Sequence, residues 1–143
     1  MTDLPTKPMP PPSDLSKPYW DAAASGQLLV QACAACGVKR HYPRLLCDQC
    51  YSDEVRWERL SGHGTIHSWT VAHHAYHPAF AHELPYTLVT VDLAEGTRAL
   101  GRWHGDTPHI GQPVKGEFAT GDGHPVLIFA PLDGEKQTSP ITR

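Results

Sequence analysis

The sequence predicts a mainly β fold, with a short N-terminal helix, a small cysteine-bearing module and then a closed barrel of five short strands. Three observations lead to this prediction. The 143 residues include 14 prolines and 12 glycines but only 19% charged residues, a balance typical of short strands and turns. Four cysteines form two C-x-x-C pairs, Cys33/Cys36 and Cys47/Cys50. Residues 61–132 then contain five segments with the alternation of strands, separated by turn residues.

Composition divides the chain into four segments. Residues 1–15 are rich in proline and have almost nothing to bury, which predicts a disordered leader. Residues 16–60 contain the helix and the cysteine module, and residues 61–132 form the barrel. Residues 133–143 are polar and predict a flexible tail.

A short helix is expected at about residues 17–25. Ser16 is a good N-cap, and Gly26 is a natural C-terminal stop. The apolar residues that recur at a helical spacing are Trp20, Ala24 and Leu28. Residues 28–30 then lead as a strand into the first cysteine pair.

The barrel strands are predicted from alternation and from turns. They lie at residues 65–72, 86–93, 97–103, 113–119 and 126–130. One face of the second strand carries Thr87, Val89, Val91 and Leu93. Glu95-Gly96 and Asp122-Gly123 are typical hairpin turns. Five strands is the count of the OB-fold, which is therefore the first choice over an SH3-like barrel or a small open sandwich.

The two cysteine pairs predict a metal site. Each C-x-x-C forms a tight turn that points two thiolates at one centre, and two such turns complete a tetrahedral set of sulfurs that suits Zn²⁺. Gly37 supplies the open backbone conformation that such a turn needs. Since protein ligands would close all four positions, the zinc would be structural. Iron in the same geometry is the alternative, whereas a thioredoxin-like pair would need a βαβ unit that this sequence lacks.

Charge and motif content exclude several function classes. The net charge is −3 and the pI about 6.3, which argues against a dedicated nucleic-acid binder. No apolar run approaches the ~20 residues of a membrane span and no secretory signal is present, so we expect a cytoplasmic protein with reduced thiols. Neither a G-x-S-x-G turn, a P-loop nor a dinucleotide glycine pattern occurs, so an independent enzyme is the third choice.

Several short motifs follow one another in a distinctive order. They are Pro18-Tyr19-Trp20, Gly26-Gln27-Leu28-Leu29-Val30, the cysteine pairs with Tyr42-Pro43-Arg44 between them, Trp57, Ser61-Gly62-His63-Gly64-Thr65, Ser68-Trp69-Thr70-Val71, Pro85-Tyr86-Thr87-Leu88-Val89, Glu95-Gly96 and Ile110-Gly111-Gln112-Pro113-Val114. From about residue 17 to residue 131, the chain resembles the acyl-CoA-associated OB-fold family with a rubredoxin-like zinc ribbon, formerly domain of unknown function thirty-five. The resemblance implies a helix, a zinc ribbon held by Cys33, Cys36, Cys47 and Cys50, and an OB-fold barrel.

The resemblance also implies a function. Family members act as accessory subunits of thiolase-like or lipid-transfer-type enzymes that process acyl-CoA, and no established catalytic residue carries over. We therefore expect a non-catalytic scaffold subunit of such a complex, which would help to form the site for the CoA thioester. The alternative is a single-stranded nucleic-acid binder that stacks bases on Trp69, Tyr86 and Trp103, although aromatic residues on strands more often belong to the core. Trp20 and Trp57 are expected to seal the helix and the ribbon against the barrel.

Two further groups of residues are candidate contacts for a partner or for acyl-CoA. Lys39, Arg40 and Arg44 would meet phosphates, or would simply be a solvated ribbon surface. The loop at residues 73–85 is long and carries four of the ten histidines, so it would be either a second metal site or a polar connection. The apolar content of this loop favours contact with a partner subunit or an acyl chain, and its candidate residues are His73, Tyr76 and Phe80.

Overall fold

Helix α1, Lys17–Ala24, ends within one residue of its predicted end. The computed structural model describes residues 6–11, 13–120 and 124–132. Gly26 ends the helix as predicted: its φ is 81°, and its N–H donates to the carbonyl of Ala23 at 2.9 Å. The N–H of Gln27 reaches the carbonyl of Ala22, also at 2.9 Å, so the last turn satisfies its own carbonyls.

The start of α1 differs from the prediction. Ser16 occupies the N-cap position, but its side chain makes no capping hydrogen bond. Instead, the hydroxyl of Ser13 accepts a hydrogen bond from the N–H of Ser16 at 3.2 Å. The hydroxyls of Ser13 and Ser16 also bond each other at 2.8 Å. The Ser16 side chain is therefore paired within the turn before the helix and does not accept from an N–H of the first helical turn, as an N-cap would.

The buried face of α1 is also shifted by one residue. Tyr19 and Ala23 are buried, whereas Trp20, placed on the buried face by its spacing, packs only partly against the core. The ring of Tyr19 contacts both Trp20, at 4.9 Å between centroids, and Phe118 of the barrel, at 6.0 Å. Tyr19 thus fills the seam between helix and barrel, and Trp20 covers it from outside.

A three-stranded antiparallel sheet follows the helix. Its strands are β1, Leu28–Cys33; β2, Lys39–Arg40; and β3, Val55–Leu60, in the order β2-β1-β3. The central strand β1 is almost wholly buried. Trp57 on β3 packs partly buried against the main core, as predicted. This sheet carries the cysteine turns at its ends and joins them to the barrel.

The second half of the chain is a closed five-stranded barrel, as predicted, rather than an open sandwich. Its strands are β4, His63–Ala72; β5, Tyr86–Leu93; β6, Arg98–Trp103; β7, Pro113–Ala119; and β8, Val126–Pro131. The order is β4-β5-β6-β8-β7, with β7 returning to β4. All pairs are antiparallel except β6 and β8, which run parallel. The predicted turn Asp122-Gly123, the predicted tail and residues 1–5 and 12 of the predicted leader lie outside the described residues.

The barrel core consists of the inward-facing side chains of its strands. Val89, Val91 and Leu93 are buried as predicted, while Thr87 at the strand end is half-buried. Trp103 is part of this core, so the reading of that aromatic as a packing residue is confirmed. By contrast, Trp69 is exposed.

Gly62 lies just before β4, at a position where the backbone leaves no room for a side chain. Its φ is 88°, and a Cβ at this position would lie 2.6 Å from the carbonyl oxygen of Gly116 on β7. The N–H of Gly116 donates to the carbonyl of Gly62 at 2.9 Å, so the two backbones are in direct contact. A side chain at Gly62 would be strained in its own backbone and would also separate β7 from the start of β4.

None of the helices in the described residues is long and apolar enough to span a membrane.

Candidate metal centre and ligand cleft

The four cysteines come together as one cluster. The Sγ atoms of Cys33 and Cys50 are 3.6 Å apart, as are those of Cys36 and Cys47, and all four sulfurs lie within 4.8 Å of one another. Zinc–sulfur bonds of about 2.3 Å in a tetrahedron require sulfur separations of about 3.8 Å. The cluster therefore fits a structural zinc ion with no open coordination position.

Backbone donors in the two turns prepare the cluster for a cation. The N–H of Cys36 donates to Sγ of Cys33 and lowers the pKa of this thiol to about 6. The N–H of Gln49 likewise lowers the pKa of Cys47. Ser52 donates to Cys50, but contact with the Cys33 thiol and desolvation raise the pKa of Cys50 to about 12. Four thiols in contact cannot all ionise by themselves, because their negative charges would repel one another. A divalent cation would hold all four as thiolates.

The two cysteine turns have the same geometry. The N–H of Gly37 bonds the carbonyl of Cys33 at 2.9 Å, and the N–H of Tyr51 bonds the carbonyl of Cys47 at 2.8 Å. Gly37 has a φ of 85° and Tyr51 a φ of 62°. The second turn therefore holds a tyrosine in the left-handed region that glycine occupies in the first, at a cost of about 1–2 kcal/mol. Closing the metal site outweighs this strain.

The basic residues between the cysteine pairs differ in their exposure and in their partners. Arg40 is only 4% exposed, and its Nη2 donates to the carbonyl of Arg44 at 3.1 Å. Lys39 pairs with Glu58 at 3.4 Å, and Arg44 with Asp48 at 3.7 Å. Arg40 thus holds the loop between the cysteine pairs from inside. Lys39 and Arg44 reach the surface, each beside a carboxylate.

The long loop at residues 73–85 contains a 3-10 helix, Pro78–Glu83. His77 caps it, because its Nδ1 accepts a hydrogen bond from the N–H of Ala79 at 3.1 Å. His73 is exposed and Tyr76 is 87% exposed, whereas Phe80 is half-buried. Among the described residues, only the four cysteines bring three or more metal-binding side chains within reach of one ion, so the loop histidines form no second metal site.

A cleft of about 460 Å³ opens where the helix, the ribbon, the loop and the barrel meet. Its aromatic and aliphatic walls include Trp20, Tyr42, Phe80, Tyr86, Leu100 and Ile128. His41 contacts Tyr42, with 4.1 Å between the centroids of the two rings. Burial lowers the pKa of His41 to about 4, so this side chain is neutral at pH 7. The size and apolar lining are those of a small-molecule site.

One ion cluster lies in this apolar cleft. The carboxylate of Glu83 accepts from Lys7 at 2.7 Å and from Nη2 of Arg102 at 3.1 Å. The guanidinium of Arg102 also lies 4.0 Å from the ring centroid of Tyr86, and Lys7 lies 5.3 Å from that of Phe80. The hydrogen bond from Lys7, followed by that from Arg102, holds the pKa of Glu83 below its ordinary value against desolvation. Two cations and one anion leave this cluster with a charge of +1.

Replacing Glu83 by glutamine should lower the free energy of unfolding by about 1 kcal/mol at pH 7, because the two cations lose their shared carboxylate. A carboxyl whose folded pKa is lowered stabilises the fold above its unfolded pKa, and this stabilisation is lost as the pH falls through the folded pKa. The difference between Glu83→Gln and wild type should therefore shrink between pH 7 and pH 4.

Amide exchange of the barrel strands should be the measurement, since acid also protonates the cysteine ligands. Glu117→Gln is the matched control, because Glu117 is exposed and its Lys115 partner is 3.8 Å away. A constant difference for Glu83→Gln at both pH values would contradict the assignment of this stabilisation to the charged carboxylate.

Of the predicted contact residues, the structure places only Phe80 in the cleft. Lys39, Arg40 and Arg44 line a separate depression between the ribbon and the barrel, and the ring of Tyr76 meets that of His74 edge-on, at 4.6 Å between centroids. Sequence reasoning missed the parts played here by Tyr42, Glu83 and Arg102. Nothing in their spacing marks them, because each comes from a different element.

Models of two domain families match consecutive parts of the chain. Residues 20–56 match the rubredoxin-like zinc ribbon domain of ChsH2, and residues 57–119 match the C-terminal OB-fold domain of ChsH2. The junction between the two matches falls inside β3, the strand that connects the ribbon sheet to the barrel.

Curated relatives are longer proteins. The chain is 36% identical over 124 residues to a probable enoyl-CoA hydratase alpha subunit of Thermomonospora curvata, which covers 84% of this chain and 38% of that protein. It is 32% identical over 103 residues to the 3-oxo-4,17-pregnadiene-20-carboxyl-CoA hydratase alpha subunit of Mycobacterium tuberculosis, covering 70% of this chain and 32% of that protein. The chain thus spans about a third of the length of each relative.

Two solved structures resemble most of this chain. A chain of the complex called Ltp2-ChsH2(DUF35) aldolase superposes with a TM-score of 0.75 at 35% identity, covering 85% of this chain and 98% of that one. A DUF35-family protein of unknown function from Sulfolobus solfataricus shares the fold, with a TM-score of 0.57 at 13% identity over 83% of this chain and 86% of that one. The two domain models together match residues 20–119, which include the four cysteines, and the chain belongs to the ChsH2 (DUF35) family of zinc-ribbon and OB-fold proteins.

Proposed function

We propose that this chain is an accessory subunit of an acyl-CoA-processing complex. It binds a thiolase-like or lipid-transfer-type enzyme of the Ltp2 kind and contributes no catalytic residue of its own. The observation that carries the proposal is the match to a chain of the solved Ltp2-ChsH2(DUF35) aldolase, which is 35% identical and is covered over 98% of its length. The names of both curated relatives, which are alpha subunits of CoA-thioester hydratases, support the same class of substrate.

The chemistry of the cleft supports a binding role. Its walls are aromatic and aliphatic, and its charged side chains are Lys7, Glu83 and Arg102, which are paired with one another. The cysteine thiols, the strongest nucleophiles of the described residues, are held by the metal site. Such a cleft would bind the apolar acyl part of a thioester while the partner enzyme supplies the reacting groups. Lys39 and Arg44 remain the candidate contacts for CoA phosphates, at the separate depression beside the ribbon.

The single-stranded nucleic-acid alternative has less support. Trp103, one of the three aromatics proposed to stack on bases, is buried in the core. Tyr86 is already covered by the guanidinium of Arg102 at 4.0 Å. Only Trp69 remains open, and a stacking platform for several bases needs more than one ring.

The test is assembly of the purified chain with the Ltp2 enzyme of the solved Ltp2-ChsH2(DUF35) aldolase. We expect a stable complex in size-exclusion chromatography with light scattering, and turnover of acyl-CoA by the complex but not by this chain alone. A complex that depends weakly on salt would distinguish this function from nucleic-acid binding, which weakens steeply as salt rises. Turnover by the isolated chain, or salt-sensitive binding of oligo(dT) with no binding of Ltp2, would contradict the proposal.

Two loop variants locate the acyl contact within the same experiment. Phe80→Ala removes a wall of the cleft and should raise the KM for acyl-CoA in the complex, whereas Tyr76→Ala lies outside the cleft and should leave it unchanged. If Tyr76→Ala raised the KM and Phe80→Ala did not, the acyl contact would lie on the outer surface of the loop and not in the cleft.

A further inference from the structure

The second half of strand β4 is exposed on both of its faces. All five residues from 67 to 71 are exposed, including Trp69 at 38% and Val71 at 42%. The register pairs Trp69 with Val89 and Val71 with Thr87, so both side chains lie on the inner face of the sheet, past the end of the closed barrel. Large apolar residues on a strand are normally buried, and here both remain more than a third exposed.

The backbone of this segment forms a free edge. Strand β4 pairs with β7 as far as Thr65. Two more backbone hydrogen bonds follow at Ile66, whose N–H donates to the carbonyl of Gln112 at 3.0 Å and whose carbonyl accepts from the N–H of Gly111 at 2.8 Å. On the other side, β4 stays paired with β5 as far as Ala72. Within the described residues, the β7 side of residues 67–72 therefore has no neighbouring strand.

The register identifies the backbone groups that face outward. The N–H and carbonyl of Ile66 point to the β7 side, and a bulge between Ile66 and Ser68 inserts one residue into β4. Since alternate residues of a strand point to alternate neighbours, Ser68 and Thr70 face β5 after the bulge. Trp69 and Val71 then direct their N–H and carbonyl groups to the free edge.

The edge of the ribbon sheet makes an instructive contrast. Strand β3 is also an edge strand, and it carries Arg56, Glu58 and Arg59 among its six residues. Charges of this kind prevent unwanted strand pairing. Residues 64–72 of β4 contain no Lys, Arg, Asp or Glu. Ile110, which is 71% exposed beside Gly111, extends the apolar surface to the point where the free edge begins.

The long loop does not protect this edge. Its contacts run to the opposite side of the β4–β5 hairpin, where Glu83 binds Arg102 on β6 and Phe80 lies 6.3 Å from Tyr86. The six residues 67–72 reach about 20 Å, the length of one ordinary strand. A standard interface uses about 20–30 residues on each side, so two copies of this chain paired by this edge alone would be too weakly held.

We propose that the free edge of β4 receives an extended strand of the partner enzyme, which adds a sixth strand beside residues 67–72. This inference rests on the proposed function, because the enzyme supplies the remaining area of the interface. The incoming segment would be uncharged and would place apolar side chains on the face of Trp69 and Val71. Main-chain hydrogen bonds to Trp69 and Val71 give the affinity, and the apolar contacts on one face set the register.

The test uses Val71→Lys and a matched control, Val55→Lys. Val55 is 38% exposed on the charged edge strand β3, so both variants add the same charge at a similarly exposed valine of an edge strand. With Ltp2 as the probe, Val71→Lys should weaken binding by about tenfold or more, and Val55→Lys should change it by less than about twofold. Zinc content and far-UV circular dichroism establish that both variants are folded.

Amide exchange resolved to single residues gives an independent reading. In the free chain, the N–H groups of Trp69 and Val71 should exchange faster than those of Ser68 and Thr70, and binding of Ltp2 should slow Trp69 and Val71 selectively. If Ltp2 binds but Val71→Lys binds equally well and these amides stay fast, the edge inference is wrong and the proposed function stands. If wild type does not bind Ltp2, the proposed function itself fails. Protection that grows with the concentration of the free chain would assign the edge to a second copy and overturn the proposal.

Discussion

The Cys47→Ala variant is expected to lose its zinc and to unfold the ribbon, residues 28–60, while the barrel strands remain paired. The Cys47 side chain is fully buried, and its Sγ lies 3.6 Å from Sγ of Cys36. Among the described residues the cluster consists of the four cysteines, so no other side chain takes the place of Cys47. In small zinc modules, metal binding contributes roughly 10–16 kcal/mol of apparent free energy and in effect drives folding. Apart from the metal site, the loop between the cysteine pairs is held by polar contacts such as that from Arg40 to the Arg44 carbonyl, since Leu45 and Leu46 are exposed.

Metal analysis and amide exchange measure this effect together. Wild type should carry one equivalent of zinc per chain, and Cys47→Ala much less, with protection lost in β1 to β3 and kept in β5 and β6. Asp48→Ala is the control next to Cys47, because the Asp48 carboxylate is exposed and its ion pair with Arg44 is long at 3.7 Å. Retention of a full equivalent of metal by Cys47→Ala, or less than one equivalent of zinc or iron in wild type, would refute the structural metal site.

The elements that the sequence predicts best are those whose signal is local. The span of β5 and the burial of Val89 and Val91 follow from alternation over a few residues. The C-x-x-C spacing predicts the thiol cluster for the same reason, because each turn is built from neighbours. The end of α1 follows from one glycine, Gly26.

The cleft was beyond this kind of reasoning because its residues are distant in sequence. Tyr42, Glu83 and Arg102 meet only after the ribbon, the loop and the barrel have assembled. The burial of Arg40 has a similar origin: a basic residue between cysteine pairs looks solvated in sequence, yet the chain folds the Arg44 carbonyl over its guanidinium. The free edge of β4 depends on where pairing with β7 stops, which is a property of the barrel rather than of the Trp69 segment itself.

Replacing Phe129 by alanine should destabilise the barrel by about 3–5 kcal/mol, the range for deleting a large buried aromatic ring. The side chain is fully buried in β8 and stands between two glycines of neighbouring strands. A Cβ at Gly116 on β7 would lie 2.6 Å from the ring, and a Cβ at Gly101 on β6 would lie 2.7 Å from it. These glycines leave the space that the ring fills, so urea unfolding of Phe129→Ala should show a large loss of stability without loss of zinc.

A double-mutant cycle tests whether the ring and the glycines are matched. Gly116→Ala and Phe129→Leu should each destabilise the barrel, by about 1–3 kcal/mol, but the double variant should recover at least about 1 kcal/mol of the summed loss, because the ring supplies the three nearest atoms to the new methyl group. Gly101→Ala should gain much less from Phe129→Leu, since the carbonyl oxygen of Leu127 would still lie 2.8 Å from its Cβ. Equal recovery at both glycines would mean that the barrel relaxes as a whole, and additive losses at Gly116 would mean that Phe129 does not set the spacing between β7 and β8. The predicted asymmetry follows from the kind of atom that blocks each glycine, because a leucine replaces a ring but no side-chain change moves a paired backbone carbonyl.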